Sequence, residues 1–334
     1  MFILATEVTE DEAQYLTQKF KHETLKLLKG SLDEASKEDL AQVEALLPFI
    51  HTAIGPAEID AMPQLKIIAT RSTGYDHIDL NYATQKGVLV CNVPGYGETA
   101  VAEYTFALML DVTRKVYEAI RRTKAGNYTL EGLQGFDLYG KTLGVVGAGA
   151  IGLHVIRIAK GFGMDVIAFD VFQNRLISEI LGFRYAEMDE LLSRSDIITL
   201  HAPALKSTYH TINRESLAKT KRGAVLINTA RGSLVDTEAL LWALNDGIIS
   251  AAALDALEGE EFLQNEEELF GDTNVEEKLK TVVRNNILQR HPNVTITPHV
   301  AFNSREALRR ILDTSIENVQ NYAKGQPRNT VKAK

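Results

Sequence analysis

The sequence has very little cysteine and no long apolar run. Cys91 is the single cysteine among 334 residues, so no internal disulfide can form, and no Cys/His cluster has the spacing of a zinc site. No apolar stretch reaches the roughly 18–20 residues that span a bilayer. The short N-terminal apolar run lacks a preceding basic region, unlike a signal peptide. These absences predict a soluble, cytoplasmic protein without membrane segments or a bound metal.

Positively charged residues are fewer than negatively charged ones. The 36 Lys and Arg residues are outnumbered by 44 Asp and Glu residues, which gives a formal net charge of −8. Proteins that hold a polyphosphate backbone carry a basic face, so a nucleic-acid partner is disfavoured. The apolar share of 45 % is that of a globular protein and excludes a disordered chain. The length predicts two domains.

Short β-rich runs alternate with helical patterns, which is typical of parallel sheets with crossover helices. The strands predicted in the first third of the chain are 2–5, 49–54, 65–70 and 88–93. Those predicted later are 142–146, 165–169, 197–201, 224–228, 251–254 and 295–297. Six strands in the second set suit a complete doubly wound sheet.

Two long helical patterns suggest the domain organisation. One runs without Pro or Gly over 98–124 and is a natural connector between two sheets, and the other covers 301–324. If the helix predicted over 301–324 returns to the first domain, that domain consists of 1–97 and 300–334, and the second domain consists of 98–299.

The segment 258–280 holds nine acidic residues and two lysines. It is either a solvated surface insertion or a mobile flap beside the active site.

A glycine motif follows one predicted strand. Gly147-Ala148-Gly149-Ala150-Ile151-Gly152 matches G-x-G-x-x-G between the strand 142–146 and a helix. In this context the first glycine permits a tight turn, the second a close approach to a pyrophosphate, and the third close helix packing. Asp170 ends the next strand, 18 residues after the last glycine, where a carboxylate binds ribose hydroxyls. The motif predicts a dinucleotide site that prefers NAD to NADP.

Polar residues follow several further strands, at the sheet edge where ligands bind. They are His201-Ala202-Pro203, Asn228-Thr229-Ala230-Arg231, Asp255 with Glu260 five residues later, and Pro298-His299. An arginine can grip a carboxylate, and a histidine paired with a carboxylate can exchange a proton with a carbonyl oxygen. Each residue alone has a structural explanation. Together, beside a nicotinamide cofactor, they predict interconversion of a 2-oxo acid and a 2-hydroxy acid.

With these residues the chain resembles the D-isomer-specific 2-hydroxyacid dehydrogenases, and the resemblance covers nearly its whole length. The segments that carry the resemblance are 71–79, 101–103, the glycine motif with Asp170, 228–232, Asp255 with Glu260, and 297–299. The resemblance implies an α/β fold with two Rossmann-like domains, both doubly wound parallel sheets, separated by a cleft. The discontinuous domain would be flavodoxin-like and bind substrate, and the 98–299 domain would bind NAD and form a homodimer.

The resemblance also implies residue roles. Arg231 would bind and activate the substrate, Glu260 would tune the histidine, and His299 would be the acid/base. The backbone of Thr73 and Gly74 would hold the substrate carboxylate. The positions implied to contact NAD are Val101, Gly147, Gly149, Ala150, Ile151, Gly152, Asp170, His201, Ala202, Pro203, Thr208, Thr229, Ala230, Arg231, Asp255 (near the carboxamide) and His299.

Within the family, the substrate pocket resembles that of the D-lactate dehydrogenases. Val93-Pro94-Gly95-Tyr96 and Ala301-Phe302 would place two aromatic rings around a small side chain, which suits pyruvate. Ordinary packing of Tyr96 and Phe302 is the structural alternative. Glu260 and Thr73 differ from the glutamine and lysine expected in formate and phosphite dehydrogenases.

Three alternatives for the substrate or the function are also compatible with these residues. The enzyme could prefer a bulkier 2-oxo acid such as 2-oxoisocaproate or phenylpyruvate, or it could act on hydroxypyruvate or glyoxylate. In a different class, an NAD(H)-sensing protein of the corepressor type shares this fold and can keep Arg231, Glu260 and His299.

Overall fold

The computed structural model describes residues 1–50, 52–260 and 275–332. The chain divides into two compact units, Met1–Tyr96 with Ser304–Lys334, and Gly97–Asn303. The chain therefore passes from the first unit to the second after residue 96 and returns after residue 303. The sequence pattern predicted these two crossings after residues 97 and 299.

The first unit contains a six-stranded sheet. Its strands are Phe2–Ala5 (β1), Thr24–Leu27 (β2), Ala45–Leu47 (β3), Ile67–Ala69 (β4), Leu89–Cys91 (β5) and Thr330–Val331 (β13). They are ordered β2-β1-β3-β4-β5-β13, and only β13 is antiparallel to its neighbour. The order of the five parallel strands is that of a flavodoxin-like doubly wound sheet.

Helices cover both faces of this sheet. They are Glu10–Lys19 (α1), Lys37–Leu40 (α2), Pro56–Ala61 (α3), Leu80–Gln85 (α4) and Arg305–Ala323 (α13), with a 3₁₀ turn at Leu32–Glu34. The C-terminal helix α13 buries Leu312, Ile316 and Val319 against the side chains of β1 and β3. Cys91 is buried in the same layer, and burial raises the pKa of its thiol to about 11, so the thiol stays protonated at neutral pH.

The second unit contains a seven-stranded parallel sheet. Its strands are Thr142–Val146 (β6), Asp165–Phe169 (β7), Arg184–Tyr185 (β8), Ile197–Leu200 (β9), Ala224–Asn228 (β10), Ile249–Leu254 (β11) and Val294–Ile296 (β12). They are ordered β8-β7-β6-β9-β10-β11-β12. The strand order reverses between β6 and β9, and ligands bind open α/β sheets at such a point. The predicted α/β fold class is confirmed.

The second unit also carries most of the helices. They are Glu98–Arg114 (α5), Val116–Lys124 (α6), Ala150–Gly161 (α7), Arg175–Leu181 (α8), Met188–Arg194 (α9), Arg214–Ala218 (α10), Thr237–Asn245 (α11) and Val275–Arg290 (α12), with a 3₁₀ turn at Gly232–Leu234. Within the described ranges, no helix combines the length and the apolar character needed to cross a bilayer.

One predicted strand is wrong and three were missed. The strand of this region is Ala45–Leu47 and not 49–54, because Pro48 has no N–H to continue the ladder. Beyond it, Ile54 forms only an isolated bridge to Ile78. The strands β2, β8 and β13 lie at sheet edges and have only two to four residues, so their apolar pattern is too short to recognise.

The predicted helix 98–124 is interrupted. Lys115 adopts a left-handed conformation with φ of 54°, which ends α5 and starts α6. The Asp111 carboxylate accepts a hydrogen bond from the Tyr117 N–H at 2.7 Å and so caps the second helix. The predicted helix 301–324 begins only at Arg305, where Ser304 accepts from the Ala307 N–H.

Candidate active site

The glycine loop between β6 and α7 has the geometry of a dinucleotide-binding turn. Gly147 has φ of +96°, and a Cβ there would lie 2.7 Å from the Ala202 nitrogen. A Cβ on Gly152 would lie 2.0 Å from the Gly147 oxygen, so α7 packs closely on this turn. A Cβ on Gly149 would meet no atom within 4 Å. The loop is therefore open at Gly149, where a diphosphate can approach the N-terminus of α7.

Asp170 lies beside this loop, directly after β7. Its Oδ2 accepts a hydrogen bond from the Ala148 N–H at 2.7 Å, and its Oδ1 accepts one from the Phe172 N–H at 2.9 Å. These bonds fix the carboxylate against the glycine turn. Each carboxylate oxygen keeps a lone pair that can accept a bond from a ribose hydroxyl.

The loop after β9 carries the next group of predicted cofactor residues. The Nε2 atom of His201 is 2.9 Å from the Thr199 hydroxyl, and its buried Nδ1 has no partner in the described part of the chain. Burial lowers the pKa of His201 to about 3, so the ring is neutral. Thr208 donates to the Pro203 oxygen at 2.6 Å and accepts from the Leu205 N–H at 2.8 Å. Its hydroxyl therefore closes the loop.

The loop after β10 presents Arg231. Asn228 is fully buried, and its side chain donates to the Arg231 oxygen at 2.9 Å and accepts from the Ala230 N–H at 3.0 Å. The Thr229 hydroxyl lies 2.8 Å from the Thr105 hydroxyl on α5. The backbone beside Arg231 is thus held from both sides. No role was predicted for Asn228, although its place at the end of a buried strand was the available signal.

Gly232 brings the Arg231 loop against the turn that follows Asp255. A Cβ at Gly232 would lie 2.0 Å from the Leu257 carbonyl and 2.3 Å from the Glu258 nitrogen. No larger residue fits between the two backbones without a shift. This contact sets the distance between Arg231 and the turn that carries Glu260.

Asp255 holds the turn that carries His299. Its buried carboxylate accepts hydrogen bonds from the Thr297 hydroxyl at 2.5 Å and from the N–H groups of Val300 at 3.0 Å and Ala301 at 2.8 Å. His299 itself has a φ of 53°, which is uncommon for a residue with a side chain. The resemblance implied a contact of Asp255 with the cofactor carboxamide. In the structure its carboxylate fixes the histidine turn.

His299 and Glu260 form a close pair. The Nδ1 atom of His299 is 2.6 Å from Oε1 of Glu260, and Oε2 of Glu260 accepts from the Leu257 N–H at 3.0 Å. The hydrogen bond to Glu260 raises the pKa of His299, burial and the charge of Arg231 oppose this, and Asp255 reinforces it. The pairing occupies Nδ1, which leaves Nε2 to exchange a proton with a substrate.

Arg231, Glu260 and His299 are thus neighbours at the carboxyl edge of the second sheet. Within the acidic segment 258–280, the side chains of Glu258 and Glu260 are mostly buried at this sheet edge. They are therefore not part of a solvated surface. Residues 261–274 of that segment lie outside the described residues, and α12 begins at Val275.

The predicted carboxylate-binding residues lie after β4 in the first unit. The Thr73 hydroxyl donates to the Val93 oxygen at 2.6 Å, and the Asn92 amide donates to the Thr73 oxygen at 2.8 Å. The Ser72 hydroxyl donates to the Gly74 oxygen at 2.6 Å. These bonds order the loop that presents the Thr73 and Gly74 N–H groups.

The two predicted aromatic pocket residues belong to different units. Tyr96 ends the first stretch of the first unit, where its carbonyl oxygen accepts from Nε of Arg310 at 2.7 Å. Phe302 belongs to the second unit, and its Cβ is 3.7 Å from the place of a Cβ on Gly97. Val101 is buried on α5, close to Gly97 in the chain.

Comparison with known proteins gives a consistent result. Residues 106–301 match the family described as D-isomer specific 2-hydroxyacid dehydrogenase, NAD binding domain. The chain is 38 % identical over 265 residues to a D-lactate dehydrogenase of Escherichia coli, which covers 78 % of this chain and 77 % of that protein. It is 41 % identical over 261 residues to an aromatic 2-oxoacid reductase of Clostridium sporogenes, which covers 77 % and 76 %.

A solved structure extends the similarity to the whole chain. The D-lactate dehydrogenase of Aquifex aeolicus, complexed with NAD and lactic acid, superposes with a TM-score of 0.85 at 35 % identity. The match covers 97 % of this chain and 96 % of that one. With the open glycine turn and Asp170 in place, this chain belongs to the D-isomer-specific 2-hydroxyacid dehydrogenase family and is an oxidoreductase that uses NAD.

Proposed function

We propose that the protein reduces a 2-oxo acid to a D-2-hydroxy acid with NADH, and that pyruvate is its preferred substrate. The observation that carries this proposal is the 2.6 Å pair of His299 and Glu260, which lies close enough to Arg231 for its charge to act on His299. A proton donor, a carboxylate that keeps it charged and an anion-binding guanidinium are what reduction of a 2-oxo acid requires.

Each residue has a defined task in this proposal. Arg231 binds the substrate carboxylate and polarises its carbonyl through the planar guanidinium. The N–H groups of Thr73 and Gly74 hold the same carboxylate. NADH supplies the hydride when it is bound. His299 donates the proton that the carbonyl oxygen needs, and Glu260 stabilises the imidazolium that must be present beforehand.

The preference for pyruvate rests on the predicted pocket and on the relatives. In the predicted pocket, the aromatic rings of Tyr96 and Phe302 would surround a small substrate side chain, which suits the methyl group of pyruvate. Two of the relatives are named D-lactate dehydrogenase. An aromatic 2-oxo acid such as phenylpyruvate is the second candidate, since the relative from Clostridium sporogenes is 41 % identical.

We further propose that the protein is a cytoplasmic homodimer that associates through the second unit. Val116, Tyr117 and Ile120 are apolar side chains of α6 that are 44–65 % exposed. They line a groove of about 820 Å³ together with Tyr104 and Ala107 of α5. Exposed apolar patches of this kind mark protein interfaces. A second copy of this chain would bury them.

The experiment is a substrate panel. Loss of NADH absorbance is followed with pyruvate, 2-oxobutyrate, 2-oxoisocaproate, phenylpyruvate, hydroxypyruvate and glyoxylate, and the chirality of the product is determined with a stereospecific enzyme. The highest kcat/KM with pyruvate and a D product support the proposal. A maximum with phenylpyruvate would replace the substrate and keep the reaction. Tight NADH binding without turnover of any acid would contradict the enzymatic function and favour a cofactor sensor.

A further inference from the structure

A second imidazole–carboxylate pair involves the same turn as the first. The Nε2 atom of His210 is 2.6 Å from Oε1 of Glu258, and the two side chains are only 25 % and 21 % exposed. No role was predicted for His210, and Glu258 was predicted only as part of the acidic segment. Glu258 and Glu260 are two residues apart in the same turn, and each one pairs with a different histidine.

Glu258 connects this turn to three other elements. Its Oε2 accepts from the Thr237 hydroxyl at 3.1 Å, at the start of α11, and its Oε1 also accepts from the Tyr209 hydroxyl at 3.3 Å. Its backbone oxygen accepts from the buried Asn285 amide of α12 at 2.8 Å. Both carboxylate oxygens and the carbonyl are therefore occupied, and the turn is anchored on all sides.

His210 connects the same turn to the Arg231 loop. Its N–H donates to the oxygen of Ser233 at 2.9 Å, two residues after Arg231. Its φ is 50°, and its ring stacks on Tyr209 with 3.9 Å between the centroids. A residue with a side chain keeps such a backbone conformation only where its surroundings impose it. The imidazole thus reaches Glu258 while the backbone holds Ser233.

The backbone contact at Gly232 and the His210–Glu258 pair both connect the Arg231 loop with the Glu260 turn. Gly232 lies directly against the backbone of Leu257 and Glu258, so the Arg231 loop and the Glu260 turn already touch. The His210–Glu258 pair bridges the same two segments through side chains. If this bridge is lost, the link between the two segments through these side chains is lost, while the backbone contact at Gly232 remains.

We propose that His210 and Glu258 are positioning residues that hold Arg231 and the Glu260–His299 pair at the distance the reaction needs. The role is positioning and not catalysis, because both oxygens of Glu258 are already engaged by protein groups. The proposal rests on the proposed function, since it concerns the same three residues. Small displacements of reacting groups cost large factors in rate.

The test compares three single variants with one control. His210→Leu removes the donor to Glu258, Glu258→Gln removes the charge, and His210→Gln keeps an N–H donor of similar reach. Asp189→Asn is the matched control, because Asp189 forms a surface ion pair with Lys219 elsewhere in the same unit. The kcat, the KM of the 2-oxo acid, the NADH dissociation constant and the melting temperature are measured for each protein.

We expect His210→Leu and Glu258→Gln to lower kcat/KM for the 2-oxo acid about 10- to 100-fold. The NADH affinity should stay at the parent value, and His210→Gln should recover most of the activity. The double variant His210→Leu/Glu258→Gln should lose no more than either single variant, since the two side chains act as one unit. Parental kcat/KM in both single variants, or an equal loss of NADH affinity, would overturn the proposal.

A second readout separates this proposal from the proposed function. The titration of His299 is followed by NMR in the parent and in His210→Leu, which keeps the Glu258 charge. If the bridge positions Glu260, the pKa of His299 falls in His210→Leu and stays unchanged in Asp189→Asn. This result is independent of turnover. An inactive parent would therefore contradict the proposed function alone, and an unchanged His299 titration would contradict the positioning role alone.

Discussion

The protein surroundings change the ordinary chemistry of two histidines in the site. Glu260 keeps His299 protonated to higher pH, while Asp255 holds its turn through three hydrogen bonds. His201 shows the opposite adjustment, since burial without a charged partner keeps its ring neutral. The surroundings thus shift the pKa values of two histidines at one sheet edge in opposite directions.

A variant of Glu260 tests this adjustment. In reduction, His299 must be protonated, so activity is present below its pKa and is lost as the pH rises through it. Glu260 raises this pKa. Glu260→Gln should therefore move the alkaline limb of kcat/KM for the 2-oxo acid to lower pH. The pH profile of NADH oxidation measures the shift.

The same variant should leave NADH binding close to the parent value, because Glu260 contacts His299 and the Leu257 N–H and not the glycine turn. His299→Ala serves as the reference without an imidazole, in which turnover should be abolished and NADH binding kept. An alkaline limb that stays in place in Glu260→Gln would contradict the assignment of His299 as the proton donor.

At the scale of elements, the three glycines of the turn between β6 and α7 meet two different requirements, one of the fold and one of ligand binding. Gly147 and Gly152 are needed by the fold, because a Cβ at either would meet backbone atoms at 2.7 Å or less. Gly149 faces open space and has an ordinary φ of −74°, so the fold itself does not need a glycine there. Its lack of a side chain is explained by a ligand.

Gly149→Ala should therefore weaken NADH binding while the fold stays intact. The added methyl group occupies the approach to the N-terminus of α7, and we expect at least a tenfold higher dissociation constant, or about 1.4 kcal/mol. The free energy of unfolding should change by about 1 kcal/mol or less. Fluorescence titration with NADH and denaturant unfolding measure the two quantities.

Gly161→Ala is the matched control for this prediction. Gly161 ends the same helix, also has open space around its Cβ position, and lies at the end remote from the turn. It should bind NADH like the parent. Equal affinity in Gly149→Ala and Gly161→Ala would mean that the dinucleotide does not approach the backbone at Gly149.

At the scale of the whole molecule, the two sheets have different strand orders although their sequences show the same alternation. The first sheet follows the order of a flavodoxin-like sheet with one added antiparallel strand, and the second the order of a dinucleotide-binding sheet with one added parallel strand. The chain crosses between the two units twice, so the first unit contains both ends of the described chain.

The proposed homodimer is tested at this scale with Ile120→Lys. Placing a charge on the exposed apolar face of α6 should convert the dimer into a monomer, because the desolvation of an unpaired lysine opposes association. Analytical ultracentrifugation measures the mass. Ile180→Lys is the control, since Ile180 is an exposed apolar residue of α8 and lies outside the groove. A monomeric parent, or equal dissociation of both variants, would contradict the proposed interface.

Several features follow from local sequence alone. The strands β6, β7 and β10 begin and end where the apolar pattern predicts, because they are buried runs bounded by glycine or polar residues. The glycine motif and Asp170 are recognisable because short-range geometry requires those residue types. The α/β fold class and NAD as the cofactor could therefore be stated from the sequence, and the family from its resemblance to known members.

Only the tertiary structure decided what depends on contacts between distant segments. The strand 49–54 and the unbroken helix 98–124 are a different case, because the features that overrule them, Pro48 and the hydrogen bond from the Tyr117 N–H to Asp111, are local in the sequence. Asp255 and Glu258 obtain their hydrogen-bond partners from loops that follow other strands. Local propensity carries no information on these partners, because parallel strands that lie side by side are joined by long crossovers in the chain.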